Sequence, residues 1–176
     1  GFRAFTTNGG GNCGEKAIIK FILGAAIVFF TSFCGYVFAK KYRRRKNFFA
    51  QMNEFNERFL SEIAYYRRPV EEFAGRYEYK GDFEILLSSF LDSLGEEDAG
   101  PLPVFSFLTA DETGFVKDYF LMVGKGDSAS QSAYFTSVKG TLGEYRKKSA
   151  DECRRYGDLY LKLGFLFGLM ILVLIV

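Results

Sequence analysis

The residue types that most often perform catalysis are sparse in this chain of 176 residues. Histidine is absent, and with it the commonest general base, the commonest metal ligand and every Ser-His triad. Cys13, Cys34 and Cys153 lack the spacing of a metal site, and we interpret them as ordinary small residues. The acidic run at residues 96–98 could act in acid–base chemistry, but its neighbouring glycines and proline are typical of a solvated loop.

The segment at residues 124–128 superficially resembles a phosphate-binding loop. Such a loop needs a glycine five residues before its Gly-Lys pair, where this chain has Tyr119. It also needs Ser or Thr after the lysine to hold magnesium, where this chain has Gly126. We therefore interpret the segment as the end of one helix and the start of the next. The sequence predicts a protein that is not an enzyme and that binds no cofactor or metal.

A dense basic cluster is the most charged feature of the chain. Clustered cations beside a membrane span contact anionic lipid headgroups, at about 1 kcal/mol each near the surface, and they also fix topology. Net charge is only +2 and no recognition motif accompanies the cluster, so nucleic acid is not a predicted partner. The predicted lipid-facing and topology residues are Lys40, Lys41, Arg43, Arg44, Arg45 and Lys46.

The basic cluster directly follows a run of 19 uncharged residues at positions 21–39. As a helix this run is about 28 Å long, close to the hydrocarbon thickness of a bilayer. Basic residues in short loops stay on the cytoplasmic side, so the middle of the chain is predicted to be cytoplasmic and both termini external. The alternative is a cleaved signal peptide ending near Ala39, which the basic cluster just after the cut would oppose.

A second apolar run, residues 163–176, ends the chain. It is about 21 Å long as a helix, which is short for a span, but with Lys162 snorkelling the helix from residue 159 reaches about 27 Å. The alternative is a helix buried in the protein's own core. Gly164 and Gly168 form a small-xxx-small pair that permits close helix packing, with candidate partners in the first span. Those candidates are Gly24, Ala25, Ser32 and Gly35.

Between the two runs, apolar residues recur at steps of three and four, and alternating strand patterns are absent. The predicted class is all-α: a cytoplasmic helical bundle flanked by N- and C-terminal transmembrane helices. We predict a disordered leader at 1–16, a transmembrane helix at 17–39, a cytoplasmic helical domain at 40–162 and a C-terminal transmembrane helix at 163–176. The first predicted face of the bundle comprises Phe48, Met52, Phe55, Phe59, Ile63 and Tyr66.

Local signals predict where the helices of this domain end. Pro69 ends the first helix, because the residue before proline disfavours helical geometry. Thr109 and Glu112 have the spacing of a capping box for a later helix. Gly124 would close that helix and Asp127, or the serine after it, would cap the long last helix. The first and last helices are expected to pair antiparallel. Residues 95–103, rich in glycine, proline and acids, are predicted to form a loop.

Several segments, in order and spacing, resemble the stage III sporulation protein AB family of endospore-forming bacteria. They are Leu60-Ser61-Glu62-Ile63-Ala64-Tyr65, then Pro69-Val70-Glu71-Glu72, then Gly124-Lys125-Gly126-Asp127 with Gln131, and finally Tyr160-Leu161-Lys162-Leu163-Gly164-Phe165-Leu166-Phe167-Gly168 before an aliphatic end.

The resemblance implies a function that composition alone does not. Family members belong to an assembly across the membranes between mother cell and forespore, and they resemble the inner-membrane platform proteins of type II secretion systems. The implied partners are an associated cytoplasmic ATPase and the other membrane subunits, with this chain on the mother-cell side of the forespore membranes. The expectation is a scaffold subunit required for endospore formation. The alternative from the basic cluster is an anionic-lipid-binding membrane scaffold unrelated to sporulation.

Overall fold

The computed structural model describes the backbone of residues 11–65, 69–94 and 101–175, and the side chains of 18–65, 69–94 and 101–174. Within these residues the chain is helical and contains no strand, so the all-α prediction is confirmed. The elements are α1 (Gly11–Tyr65), α2 (Val70–Ala74), α3 (Asp82–Leu94), α4 (Ala110–Met122), α5 (Ser128–Glu152), a π-helical turn (Cys153–Gly157) and α6 (Asp158–Ile175).

The helices form two compact units. The terminal unit combines α1 up to Lys40 with the residues from Tyr156 onward, and the middle unit is Lys41–Arg155. The first ten residues of the predicted disordered leader lie outside the described residues, whereas residues 11–16 belong to α1. Extending an existing helix adds one hydrogen bond per residue without a new nucleation step, which favours helix at these positions.

Aromatic side chains fill the core of the middle unit. The predicted apolar face of α1 is buried as far as Ile63, whereas Tyr66 lies outside the described residues. Phe59 meets Phe135 of α5 edge to face, with ring centroids 4.9 Å apart, the arrangement that the charge distribution of aromatic rings favours. Phe55 contacts Phe73 of α2 and Phe83 of α3. The phenylalanines of α1 therefore join the other helices of this unit into one core.

Helices α1 and α5 pair antiparallel within the middle unit. Phe49 stacks on Tyr145, with ring centroids 5.2 Å apart, while further along α1 the Asn56 amide donates to the backbone carbonyl of Phe135. Rising numbers on α1 thus meet falling numbers on α5, as the sequence predicted for the first and last helices of this domain.

The predicted boundary signals are present in the structure. The backbone N–H of Thr109 donates to Glu112 Oε2 at 3.0 Å, and the N–H of Glu112 donates to Thr109 Oγ1 at 3.3 Å, which completes the capping box of α4. Asp127 caps α5 by accepting from the N–H of Ser130. Hydrogen bonding with the side chain of Ser130, and then with its backbone N–H, lowers the pKa of Asp127. Residues 95–100 of the predicted loop lie outside the described residues, and 101–103 form no regular element.

Candidate functional site

The structure separates the six predicted lipid-facing cations, all of which lie among the described residues. Five side chains are exposed, whereas Arg45 is only 7% exposed. Its guanidinium donates from Nε to both carboxylate oxygens of Glu112 at 3.1 Å, and from Nη1 to Glu152. Arg45 therefore faces carboxylates of α4 and α5, and the expectation that it faces lipid is corrected for this residue.

The environment of Arg45 keeps it charged. Burial lowers the pKa of Arg45, but the hydrogen bonds and charge of Glu112, with the charge of Glu152, outweigh this effect and raise the pKa above its usual value. Glu112 is itself only 2% exposed and also closes the capping box of α4. A signal for this pairing exists in the sequence, because Arg45 lies three residues before Phe48 and so extends the buried face of α1.

Arg44 also binds within the middle unit. Its guanidinium pairs with both carboxylate oxygens of Asp82, at the first residue of α3, and lies 5.0 Å from the ring centroid of Phe107. Among the described residues no ion-pair partner is present for the other four cations of the cluster. The side chains that remain available for lipid or for setting topology are Lys40, Lys41, Arg43 and Lys46.

In the terminal unit, Gly164 and Gly168 lie where α6 crosses α1. A Cβ on Gly164 would lie 2.7 Å from the backbone oxygen of Thr31, and one on Gly168 would lie 2.8 Å from Val28 Cα. Gly35, one of the candidate partners, is similarly confined by the backbone oxygen of Tyr160, at 2.6 Å. The two helices therefore approach backbone to backbone at positions where only glycine fits.

Two helices, Ile18–Tyr65 and Ser128–Leu174, are long and apolar enough to cross a membrane. Only 11% of the most apolar window of each is buried, which does not fit the alternative of a C-terminal helix inside the protein's own core. Large apolar side chains such as Phe29 and Leu174 are 77% and 76% exposed.

Three of the four segments that carry the family resemblance meet at one cleft of the middle unit. Helix α1 contributes Glu62 and Ile63, the start of α2 contributes Val70 and Glu71, and the α4–α5 connection with α5 contributes Gly126 and Gln131. We call this cleft, of about 400 Å³, the acidic cleft. Sequence reasoning recognised these segments separately but did not foresee that they converge.

The acidic cleft combines apolar walls with two acidic side chains. Glu62 is 5% exposed, whereas Glu71 is exposed at the rim, and no lysine or arginine lines the cleft among the described residues. A sequence signal for Glu62 exists, since it lies three residues after Phe59 on the buried face of α1.

The α4–α5 connection shapes this cleft through its glycines. Gly124 and Gly126 have φ of +77° and +84°, a left-handed conformation that side chains with a Cβ rarely adopt. A Cβ on Gly124 would lie 3.5 Å from Val70 Cγ2, so this turn lies directly against α2. Lys125, between the two glycines, does not line the acidic cleft.

Lys125 instead lines a second cleft of about 500 Å³, which we call the lysine cleft. Its walls include Phe90, Leu102 and Phe120, and Lys117 is its second cation. The two clefts share Leu94 and Gly124. Among the described residues, carboxylates line the acidic cleft and lysines line the lysine cleft. Among the residues described, no group of three or more His, Cys, Asp or Glu side chains is placed to hold a metal ion.

Comparison with known proteins agrees with the sequence resemblance. A family model described as stage III sporulation protein AB matches residues 20–176. No curated protein and no solved structure matches the chain.

Proposed function

The chain belongs to the stage III sporulation protein AB family, and we propose that it is a membrane-anchored platform subunit of a secretion-like complex between mother cell and forespore. In this proposal it is required for endospore formation. Its mechanism is mechanical: the middle unit is a helical surface, fixed to the membrane, on which a cytoplasmic ATPase and other membrane subunits assemble.

The observation that carries the proposal is the family match over residues 20–176, which includes both apolar helices and the whole middle unit. An assembly platform needs anchors and a well-ordered surface, and it does not need reacting groups. The middle unit supplies such a surface through its aromatic core and through the Arg45–Glu112 pair. The two clefts give this surface distinct chemical features that partners could recognise.

The proposed placement is a two-pass protein with the middle unit in the mother-cell cytoplasm. Four exposed cations, Lys40, Lys41, Arg43 and Lys46, support this sidedness, because such residues are retained on the cytoplasmic side. The close glycine contacts of α1 and α6 support two helices that pack within the bilayer, where small residues allow close approach.

Co-purification tests the proposal directly. The tagged full-length chain is expressed at its native level in sporulating cells, solubilised in mild detergent and isolated. We expect the cytoplasmic ATPase and membrane subunits of the complex to be recovered with it, and a tagged membrane protein of unrelated family to recover none of them. Isolation of the chain without any of these partners would contradict the platform function.

A second candidate function, a lipid-binding scaffold, is favoured by the same four exposed cations. It predicts that the detergent-purified chain retains anionic phospholipid, and that replacing the four cations by glutamine removes this lipid and abolishes function. A glutamine variant that loses the lipid but still assembles with its partners would leave the platform function as the explanation.

A further inference from the structure

The π-helical turn at Cys153–Gly157 lies between two buried helix faces, one on α5 and one on α6. We infer that this turn carries one inserted residue, which brings Gly164 and Gly168 of α6, rather than large side chains, against α1. The residues on either side of the turn belong to one long helix, Ser128–Leu174. The inference concerns how the C-terminal apolar helix packs, and it goes beyond the proposed function.

The buried face of α5 follows a seven-residue step up to the turn. Phe135, Leu142 and Ser149 are each at most 1% exposed. Seven residues are close to two turns of a regular α-helix, so these positions lie on one side of α5. Glu152, one turn after Ser149, binds the guanidinium of Arg45. These contacts fix which side of α5 is buried as far as the residue before the turn.

The buried face of α6 is displaced by one residue from this step. Seven-residue steps continued from Ser149 would bury Leu163 and Met170, yet these side chains are 38% and 61% exposed. Gly164 and Gly168 lie against α1 instead. A π turn adds one residue to a helix without ending the helix, so the turn supplies this displacement.

The displacement has a consequence for packing, because α1 and α6 leave little room for side chains where they cross. A Cβ on Gly164 would lie 2.7 Å from the backbone oxygen of Thr31, and one on Gly168 would lie 2.8 Å from Val28 Cα. In a regular helix of the same sequence Leu163 would take the place of Gly164, and its side chain would collide with Thr31. The inserted residue therefore permits the close approach of the two helices.

The test deletes one residue from the turn and, as a matched control, one residue from α5. Arg154 and Lys139 are both exposed cations on the same long helix. Deleting Arg154 shortens the eight-residue step across the turn to seven, so a regular helix can keep both faces buried. Deleting Lys139 shortens the step between Phe135 and Leu142 to six. One of these two fully buried side chains must then leave the core.

Thermal melting of the full-length chain in mild detergent compares the two deletions. Deletion of Arg154 should change the melting temperature by at most about 2 °C, because Arg154 is exposed and both faces are kept. Deletion of Lys139 should lower it by about 10 °C, the effect of losing one large buried side chain. A loss on deletion of Arg154 as large as the loss on deletion of Lys139 would overturn the inference.

Disulfide formation shows which side of α6 faces α1. A Cβ on Gly24 would lie 3.6 Å from Leu172 Cγ, so the substitutions Gly24→Cys and Leu172→Cys bring two thiols together. The pair is introduced, with the native cysteines replaced by serine, into the full-length chain and into the chain that lacks Arg154. We expect the disulfide to form in both chains after mild oxidation.

A deletion that the turn does not absorb would instead rotate α6 by about 100° and bring Val173 to the place of Leu172. In the chain that lacks Arg154, a disulfide with Val173→Cys in place of the one with Leu172→Cys would overturn the inference. Failure of the Gly24→Cys and Leu172→Cys pair to form a disulfide in the chain that keeps Arg154 would also overturn it, because the glycine side of α6 would then not face α1.

Discussion

Arg45 illustrates how helix phase decides what a positive charge contacts. It lies in a cluster of six cations, yet its position three residues before Phe48 turns it toward the middle of the bundle. A buried arginine is tolerated only when carboxylates and hydrogen bonds compensate its lost hydration, and Glu112 and Glu152 do so here. The network joins α1, α4 and α5, so its contribution lies in fixing their register.

We expect Arg45→Met to lower the free energy of unfolding by about 3–5 kcal/mol, because it leaves the buried Glu112 carboxylate without a countercharge. The matched control is Arg44→Met, which removes the exposed pair with Asp82 and should cost at most about 1 kcal/mol. Urea unfolding of the full chain in detergent, followed by tyrosine fluorescence, measures both. Equal losses in the two variants would show that burial of Arg45 has no energetic consequence.

Tyr119 is a second residue whose burial has a measurable consequence. Its hydroxyl donates to Asn56 Oδ1 at 3.0 Å, and burial raises the pKa of Tyr119 well above its usual value of 10.0. Below about pH 10 the phenol is neutral in both the folded and the unfolded chain, so stability is complete. Above that pH the unfolded chain ionises first, and stability falls as pH rises toward the folded-state pKa.

Tyr119→Phe should therefore lower the free energy of unfolding near neutral pH but reduce its loss at alkaline pH. Near pH 8 it should cost about 1–2 kcal/mol, because Asn56 Oδ1 is left without its donor. Above about pH 10 it should lose less stability with rising pH than the unmodified chain, since one buried ionisation is removed. Part of the alkaline loss should remain, because burial also raises the pKa of Tyr79. An unchanged alkaline loss would contradict this role for Tyr119.

At the scale of elements, the helix ends could be predicted and the change of helix type could not. Each helix cap is a hydrogen bond between residues three apart in the chain, so the spacing in the sequence is enough to predict it. The capping residues are Thr109, Glu112 and Asp127. The π-helical turn at Cys153–Gly157 was not foreseen. Buried positions on α5 recur every seven residues at Phe135, Leu142 and Ser149, and the next is Gly157, eight residues on.

A π turn inserts one extra residue into a helix, which accounts for the interval of eight residues. Where that residue is inserted depends on tertiary packing, so apolar residues at steps of three and four do not reveal it. Convergence of the family segments at the acidic cleft was missed for a related reason. Gln131 is far along the chain from Glu62 and Glu71, and only the packing of α1, α2 and α5 brings the three together.

The glycine contacts of α1 and α6 make a prediction about helix packing. Gly168→Leu should lower the thermal melting temperature of the chain in mild detergent, because a side chain there collides with Val28 and Thr31. Gly140→Leu is the matched control, since a Cβ at Gly140 meets no atom within 4 Å. If both variants melt alike, the close approach of these helices does not stabilise the protein.

At the scale of the whole molecule, the two apolar helices and the exposed cations predict a sidedness. The test uses Lys139→Cys in a chain whose native cysteines are replaced by serine, because Lys139 is exposed on the middle unit. If that unit is cytoplasmic, a membrane-impermeant maleimide should label this cysteine only after the cells are permeabilised. Before engulfment, Thr6→Cys should be labelled in intact cells, since the first residues are predicted to lie outside the mother cell. Labelling of residue 139 in intact cells would reverse the proposed topology.

Deleting the gene in the spore-forming host and counting heat-resistant spores tests whether this chain is a platform required for endospore formation. We expect a loss of several orders of magnitude, arrest after engulfment, and rescue by the intact gene. A normal yield of heat-resistant spores from the deletion strain would contradict the account.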